Sequence, residues 1–111
     1  MTHHRQPVRA SAPVRLDFAG GWTDVAPFAD QDGGVVVTAA LALRTTVEVT
    51  LDHHCYELDA EDLGQCASAA SLEDLPEGGM LQLHRAAVRH AGVGPCRVRS
   101  VATAPPGSGL G

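Results

Sequence analysis

The chain of 111 residues contains no lysine; all eight of its cationic side chains are arginines. A Walker-type phosphate loop is thereby excluded, because its pattern ends in Gly-Lys-Ser/Thr and needs that lysine on the phosphates. Positive charge of any kind is scarce, and thirteen acidic residues leave a formal net charge of −5. With no basic run to neutralise phosphates, generic nucleic-acid binding is excluded as well. Aromatic residues make up only 4% of the chain, so any core must be built from Val, Leu and Ala. No apolar run approaches membrane-spanning length, and the start, Met1-Thr2-His3-His4-Arg5-Gln6, lacks the apolar centre of a signal peptide. These absences predict a cytoplasmic protein with no membrane partner. The three cysteines, Cys55, Cys66 and Cys96, are odd in number, widely spaced and without a C-x-x-C pair. They read as reduced thiols packed as small hydrophobes.

What is present is ordinary for a globular chain: 44% apolar residues and enough length for one domain. Residues 1–6 are expected to form a disordered lead, and residues 7–111 the folded part. From Val8 to Phe18 the residues alternate, with Val8, Ala10, Ala12, Val14, Leu16 and Phe18 on one side of a strand. Pro13 marks an edge position or a bend. Ala19-Gly20-Gly21-Trp22-Thr23-Asp24 is a tight, glycine-permitted turn, after which Val25–Asp30 suits a helical turn entered through Asp24, with Pro27 in its first turn. The apolar run Val35–Leu43 predicts a strand covered on both faces. Arg44–Leu51 alternates, and a further strand is expected near Cys55–Leu58. Asp59–Glu77 is small, polar and acidic, and reads as an irregular connection. Gly79–Ala91 is the clear helix, with Gln82, Arg85 and Arg89 on its polar face and Leu81, Leu83, Ala87 and Val88 lining the rest. Gly92, Gly94 and Pro95 end it, and Cys96–Ala102 alternates as a strand. Strands first and then a helix, without internal repeat, predict an α+β fold rather than an alternating doubly wound sheet.

Two segments point to chemistry. Pro105-Pro106-Gly107-Ser108-Gly109-Leu110-Gly111 is a glycine-rich loop directly after a strand, of the kind whose backbone N–H groups converge on an anion. The first glycine turn is flanked by Arg15 and Asp24, which a strand end and a tight turn can bring to one cleft. A guanidinium offers planar donors to phosphate oxygens, and a carboxylate accepts from paired hydroxyls of a sugar. Without those partners the same residues would serve as a surface arginine and a helix-capping aspartate.

Taken together, Ala12-Pro13-Val14-Arg15-Leu16-Asp17-Phe18-Ala19-Gly20-Gly21-Trp22-Thr23-Asp24 and the terminal Pro106-Gly107-Ser108-Gly109-Leu110-Gly111 resemble the GHMP kinase superfamily. The likeness is strongest to sugar kinases of the heptose-phosphate kinase and fucose kinase type, which carry Gly-Gly-x-Thr-Asp at the end of the first strand. It covers most of residues 8–50 and 96–111. The resemblance implies part of a fold like ribosomal protein S5 domain 2, and phosphoryl transfer from ATP, with Mg2+, to a sugar or sugar phosphate. Residue by residue it implies Pro105–Gly111 (Pro105, Pro106, Gly107, Ser108, Gly109, Leu110 and Gly111) as the first part of the ATP loop. It implies Arg15 beside the transferring phosphoryl, and Gly20, Gly21, Trp22, Thr23 and Asp24 against the sugar. Gly21 and Trp22 stand where galactokinases have Glu and His, so galactose is not the expected substrate; Trp22 can instead stack on a sugar's apolar face.

The family's later parts have no counterpart here: the loop's serines and following helix, the catalytic aspartate, a third glycine motif and the C-terminal domain. Asp17 lies within the strand and does not fill the aspartate's place. The chain is therefore expected to be an N-terminal kinase fragment, inactive alone. The alternative is a non-catalytic remnant, or one half of a split protein whose missing C-terminal half is a separate chain. No metal site is expected among the histidines. His53 and His54 on a strand would point to opposite faces unless the chain bends there, and His84 and His90 lie too far round a helix to pair.

Overall fold

Alternation sets the sheet. The computed structural model describes residues 6–108. Its elements are β1 (Val8–Ala19), α1 (Phe28–Asp32), β2 (Val37–Thr50), β3 (Tyr56–Ala60), a 3-10 turn at Glu61–Leu63, β4 (Gln65–Ala69), α2 (Gln82–Ala91) and β5 (Arg97–Ala102). The five strands form one sheet in the order β1-β2-β5-β3-β4. Neighbours are antiparallel except β3 and β5, which run parallel and need the crossover that β4 and α2 supply. The α+β class is as expected.

One face of the sheet carries Leu58 and the buried Ala60 from β3 and Val98 from β5; Leu58 and Val98 pack with Cys96 against Leu75, in the segment before α2, and Val88 of α2. This small core sits under the only long helix among the described residues. The other face is charged: Arg97 Nε lies 3.0 Å from Glu57, and Arg99 Nε 3.2 Å from Asp59 and 3.6 Å from Glu61. His84 points inward from α2 and its Nε2 lies 2.7 Å from Ser100 Oγ, while its buried Nδ1 has no partner. Burial pushes the His84 imidazole below its ordinary value, outweighing the opposite pull of Asp62.

Several expectations are corrected. The Asp59–Glu77 stretch is not one irregular connection; it holds the end of β3, the 3-10 turn and β4, paired from Tyr56↔Ala69 to Ala60↔Gln65. The short α1 begins at Phe28 with Pro27 in the capping position and no side-chain cap, so Asp24 caps nothing. Leu83 and Ala87 are exposed, because α2 turns His84 and Val88 to the sheet instead. Cys96 is fully buried as a small hydrophobe, but Cys66 is exposed on the edge strand β4.

The largest correction concerns Val35–Leu43. It enters a single 14-residue strand, β2, but it is not covered on both faces; Val35 and Val37 are exposed. The register gives the reason. β5 pairs only with Thr45–Thr50, so Val37–Arg44 has β1 on one side and no strand on the other. The β1–β2 ribbon therefore projects beyond the body of the sheet. The extents of 56 × 29 × 26 Å and radius of gyration of 17.2 Å reflect this, against about 13 Å for a compact domain of this length. Pro13 sits at a register shift of the edge strand β1, where a missing N–H costs no ladder bond.

Candidate functional site

At the tip of the ribbon the chain makes a tight turn. Thr23 N–H donates to the Gly20 carbonyl at 3.1 Å, closing a β-turn with Gly21 and Trp22 in the middle. Gly20 has φ +83°, and a Cβ there would collide with the Val35 carbonyl. Only glycine fits that approach. Thr23 fixes the turn to the start of β2: its hydroxyl donates to Gly20 O at 2.6 Å and accepts the Val35 N–H at 3.2 Å. Gly34 lets the two backbones meet, since its Cβ would run into the Thr23 carbonyl. The Thr23 hydroxyl is thus engaged by backbone on both counts.

Trp22 is held at φ +76°, a left-handed conformation that a bulky residue adopts only when its surroundings impose it. The residue is 82% exposed, and Phe18, Val25 and Phe28, which flank it in the chain, are exposed as well. Asp24 follows on the surface, with no hydrogen bond or ion pair among the described residues. Arg15, opposite Ala40 in the ladder, forms an ion pair with Asp17 two residues on, Nε to Oδ1 3.4 Å.

The second segment leaves β5 at the same end of the sheet, because β1 and β5 both run antiparallel to β2. Thr103 anchors its start, its N–H and hydroxyl both donating to the Arg44 carbonyl at 3.0 Å, and its Oγ1 accepting the Arg44 N–H at 2.8 Å. Pro105–Ser108 then forms a turn closed by the Ser108 N–H on Pro105 O at 3.1 Å, with Gly107 at φ +74°. This is the Pro-Gly arrangement of a type II turn. Gly109, Leu110 and Gly111 lie outside the described residues. Arg15 pairs five positions along β2 beyond the point where β5 stops, about 17 Å at strand spacing, a gap the nine residues from Thr103 to Gly111 can cross. The sheet therefore aims both expected segments the same way, but no hydrogen bond joins them among the described residues.

Over 100 residues the chain is 32% identical to an L-fucokinase/L-fucose-1-P guanylyltransferase of Bacteroides fragilis, an alignment that takes in 81% of this chain and 10% of that protein. Its fold superimposes on a D-glycero-D-manno-heptose 1-phosphate kinase from Bacteroides thetaiotaomicron with a TM-score of 0.70 and 28% identity, over 92% of this chain and 36% of the other. The resemblance to GHMP sugar kinases holds in sequence and in fold. A galactokinase of Lactococcus lactis complexed with galactose shares the fold alone, at TM-score 0.67 and 19% identity, over 97% of this chain and 29% of that one. No family model matches. The chain spans about a tenth of the fucokinase relative and about a third of the heptose-phosphate kinase. Among the described residues no helix is long and apolar enough to cross a membrane.

Two features escaped the sequence. The first is the left-handed Trp22, for which Gly-Gly-Trp-Thr gives no advance signal. The second is the convergence of His53, His54 and Cys55, which lie in the bend between β2 and β3 and not on a strand.

Proposed function

We infer that this chain is a segment of an ATP-dependent sugar or sugar-phosphate kinase, and that the Gly20–Asp24 turn is its sugar-side wall. The observation that carries this is the turn itself: a left-handed, exposed Trp22 two positions before an Asp24 carboxylate with no partner among the described residues, both held by the Thr23 lock. An apolar ring face next to a free acceptor is the pair of contacts that a sugar ring with its hydroxyls satisfies. The fucokinase and heptose-phosphate kinase likenesses support this class of substrate.

In this reading Mg-ATP lies against the segment after β5. Pro105 and Pro106 have no N–H, and that of Ser108 is spent on Pro105. The backbone donors for phosphate oxygens are then Gly107 and the glycines beyond it. Arg15 steadies the transferring phosphoryl, for which its ion pair with Asp17 must open; at 68% side-chain exposure that pair holds it weakly. In the transfer a sugar hydroxyl oxygen bonds to the γ-phosphorus as the bond to ADP breaks. The hydroxyl proton leaves to a base supplied by the rest of the kinase. Phosphoryl transfer depends chiefly on positioning and charge stabilisation, and these residues contribute only part of both.

The rest of such a kinase is also the proposed partner, as a continuation of the fold or a separate chain. Phe18, Trp22, Val25, Phe28, Val35 and Val37 are exposed along the ribbon and the segment joining its strands, apolar area that a third of a kinase fold leaves uncovered. Gel filtration with 8-anilinonaphthalene sulfonate tests this: self-association and dye binding are expected, and a dye-silent compact monomer contradicts it. The sugar assignment has its own test. Trp22 is the chain's only tryptophan, so its emission reports on the site directly. Saturable quenching or a blue shift is expected with a sugar 1-phosphate, and is absent in Asp24→Asn. An unresponsive wild type, or an unaltered response in Asp24→Asn, overturns the assignment.

A further inference from the structure

Between β2 and β3 the chain turns sharply through Asp52, at φ +58°. The turn undoes the opposition that a strand would impose on neighbouring side chains. The His53 and His54 rings come face to face, centroids 4.3 Å apart and planes inclined by 33°. Cys55 Sγ lies 3.8 Å from His53 Nδ1, and one donor atom from each of the three residues falls within 4.8 Å of the others. Zinc bonds of about 2.3 Å to sulfur and 2.0–2.1 Å to nitrogen, at the tetrahedral angle, place such donors roughly 3.5 Å apart. The sulfur–nitrogen separation is already close to that figure.

We propose that His53, His54 and Cys55 form a zinc-binding site. Two imidazoles and a thiolate are a borderline-soft donor set that favours Zn2+ over Mg2+ or Ca2+, both of which require oxygen ligands. Three protein ligands leave the fourth position open to water. Binding replaces the Cys55 thiol proton by the metal and releases that proton to solvent.

The surroundings hold the donors in place. The His53 N–H donates to the Pro95 carbonyl at 3.1 Å, tying the bend to the segment that enters β5. Glu57 lies 3.9 Å from His53 Nε2 and is held on its other side by Arg97 at 3.0 Å. It lies at the ring nitrogen away from Cys55 Sγ, beyond hydrogen-bond distance, where a small approach lets it orient the ligating imidazole. Half-burial of His53 and Cys55, with His54 exposed, leaves a metal free to enter. The site lies at the opposite end of β2 from the Gly20–Asp24 turn, so it stands or falls apart from the kinase reading.

The test is calorimetric titration of the reduced full chain with Zn2+, paired with Co2+ absorption as a direct report of thiolate ligation. One zinc per chain is expected, with sulfur-to-cobalt charge-transfer bands. His54→Ala, at an exposed position outside the core, and Cys55→Ser should each weaken zinc at least tenfold, and Cys55→Ser should abolish the bands. Cys66→Ser and the double change H3A/H4A should leave both readouts intact. Absence of saturable zinc binding, wild-type affinity in His54→Ala or Cys55→Ser, or loss of binding in the Cys66 or His3/His4 variants would overturn the proposal.

Discussion

Replacing Gly20 with alanine should open the turn on which the candidate site rests, whereas the same change at Gly21 should not. The two glycines are adjacent but physically unlike. Gly20 sits at φ +83° with its absent Cβ aimed at the Val35 carbonyl; Gly21 has open space and an ordinary φ. A left-handed L residue costs about 1–2 kcal/mol. Forcing a methyl group into packed backbone adds about 1–3 kcal/mol. The stiffer unfolded chain returns about 0.4–1 kcal/mol. The net is a loss of about 1–4.6 kcal/mol from the closed turn, equivalent to roughly 5- to 2,000-fold in its opening equilibrium. For Gly21→Ala only the unfolded-chain effect remains, so the turn should be unchanged or slightly tighter. Amide hydrogen exchange reads this locally, because the Thr23 and Val35 N–H groups are bonded across the turn. Their protection should fall by that factor in Gly20→Ala and hold in Gly21→Ala. Equal protection in the two variants would refute the reasoning.

Thr23→Val keeps the shape and removes a hydroxyl that donates at 2.6 Å and accepts at 3.2 Å; faster exchange at Val35 is expected, from a loss of about 1–3 kcal/mol. Leu58→Ala, at a position only 1% exposed, should lower the urea midpoint of the whole fold by the equivalent of about 2–5 kcal/mol. His84 has its folded pKa below that of the unfolded chain, so the unfolded state binds the extra proton on acidification. Its stabilising contribution is complete above about pH 6.5 and fades as the pH falls toward the lowered folded value. Urea midpoints should therefore decline through that window in the wild type and less steeply in His84→Leu. Cys96 behaves in the opposite sense: burial raises its thiol pKa, so stability is complete below the unfolded thiol's value and lost as the pH climbs past it. Cys96→Ala should remove that alkaline decline in midpoint.

Much of the fold was legible where one period dominated. β1, α2 and β5 follow from alternation or helical spacing, and glycine and proline mark their ends. β4 was not, since Gln65-Cys66-Ala67-Ser68-Ala69 has small side chains and no β-branched residue to signal a strand. Val35–Leu43 misled for another reason. An apolar run records what a segment is suited to bury against, while the register decides what is there, and β5 stops at Thr45. In the candidate site, the tight, glycine-permitted turn over Ala19–Asp24 was readable from the sequence. The clamp on Val35 was not, because it joins residues twelve positions apart. His53 and His54 were judged by strand geometry, and a single left-handed residue, Asp52, changes that geometry.

In the proposed kinase, the Gly20–Asp24 turn and the segment after Ala102 serve one sugar-phosphorylating site. Backbone amide NMR during titration with a sugar 1-phosphate and then Mg-ATP tests it most directly. Saturable shifts at Gly21, Trp22 and Asp24 with the sugar phosphate, and at Gly107 and Ser108 with Mg-ATP, are predicted. Shifts confined to other parts of the sheet, or no saturable shift with either ligand, would contradict it.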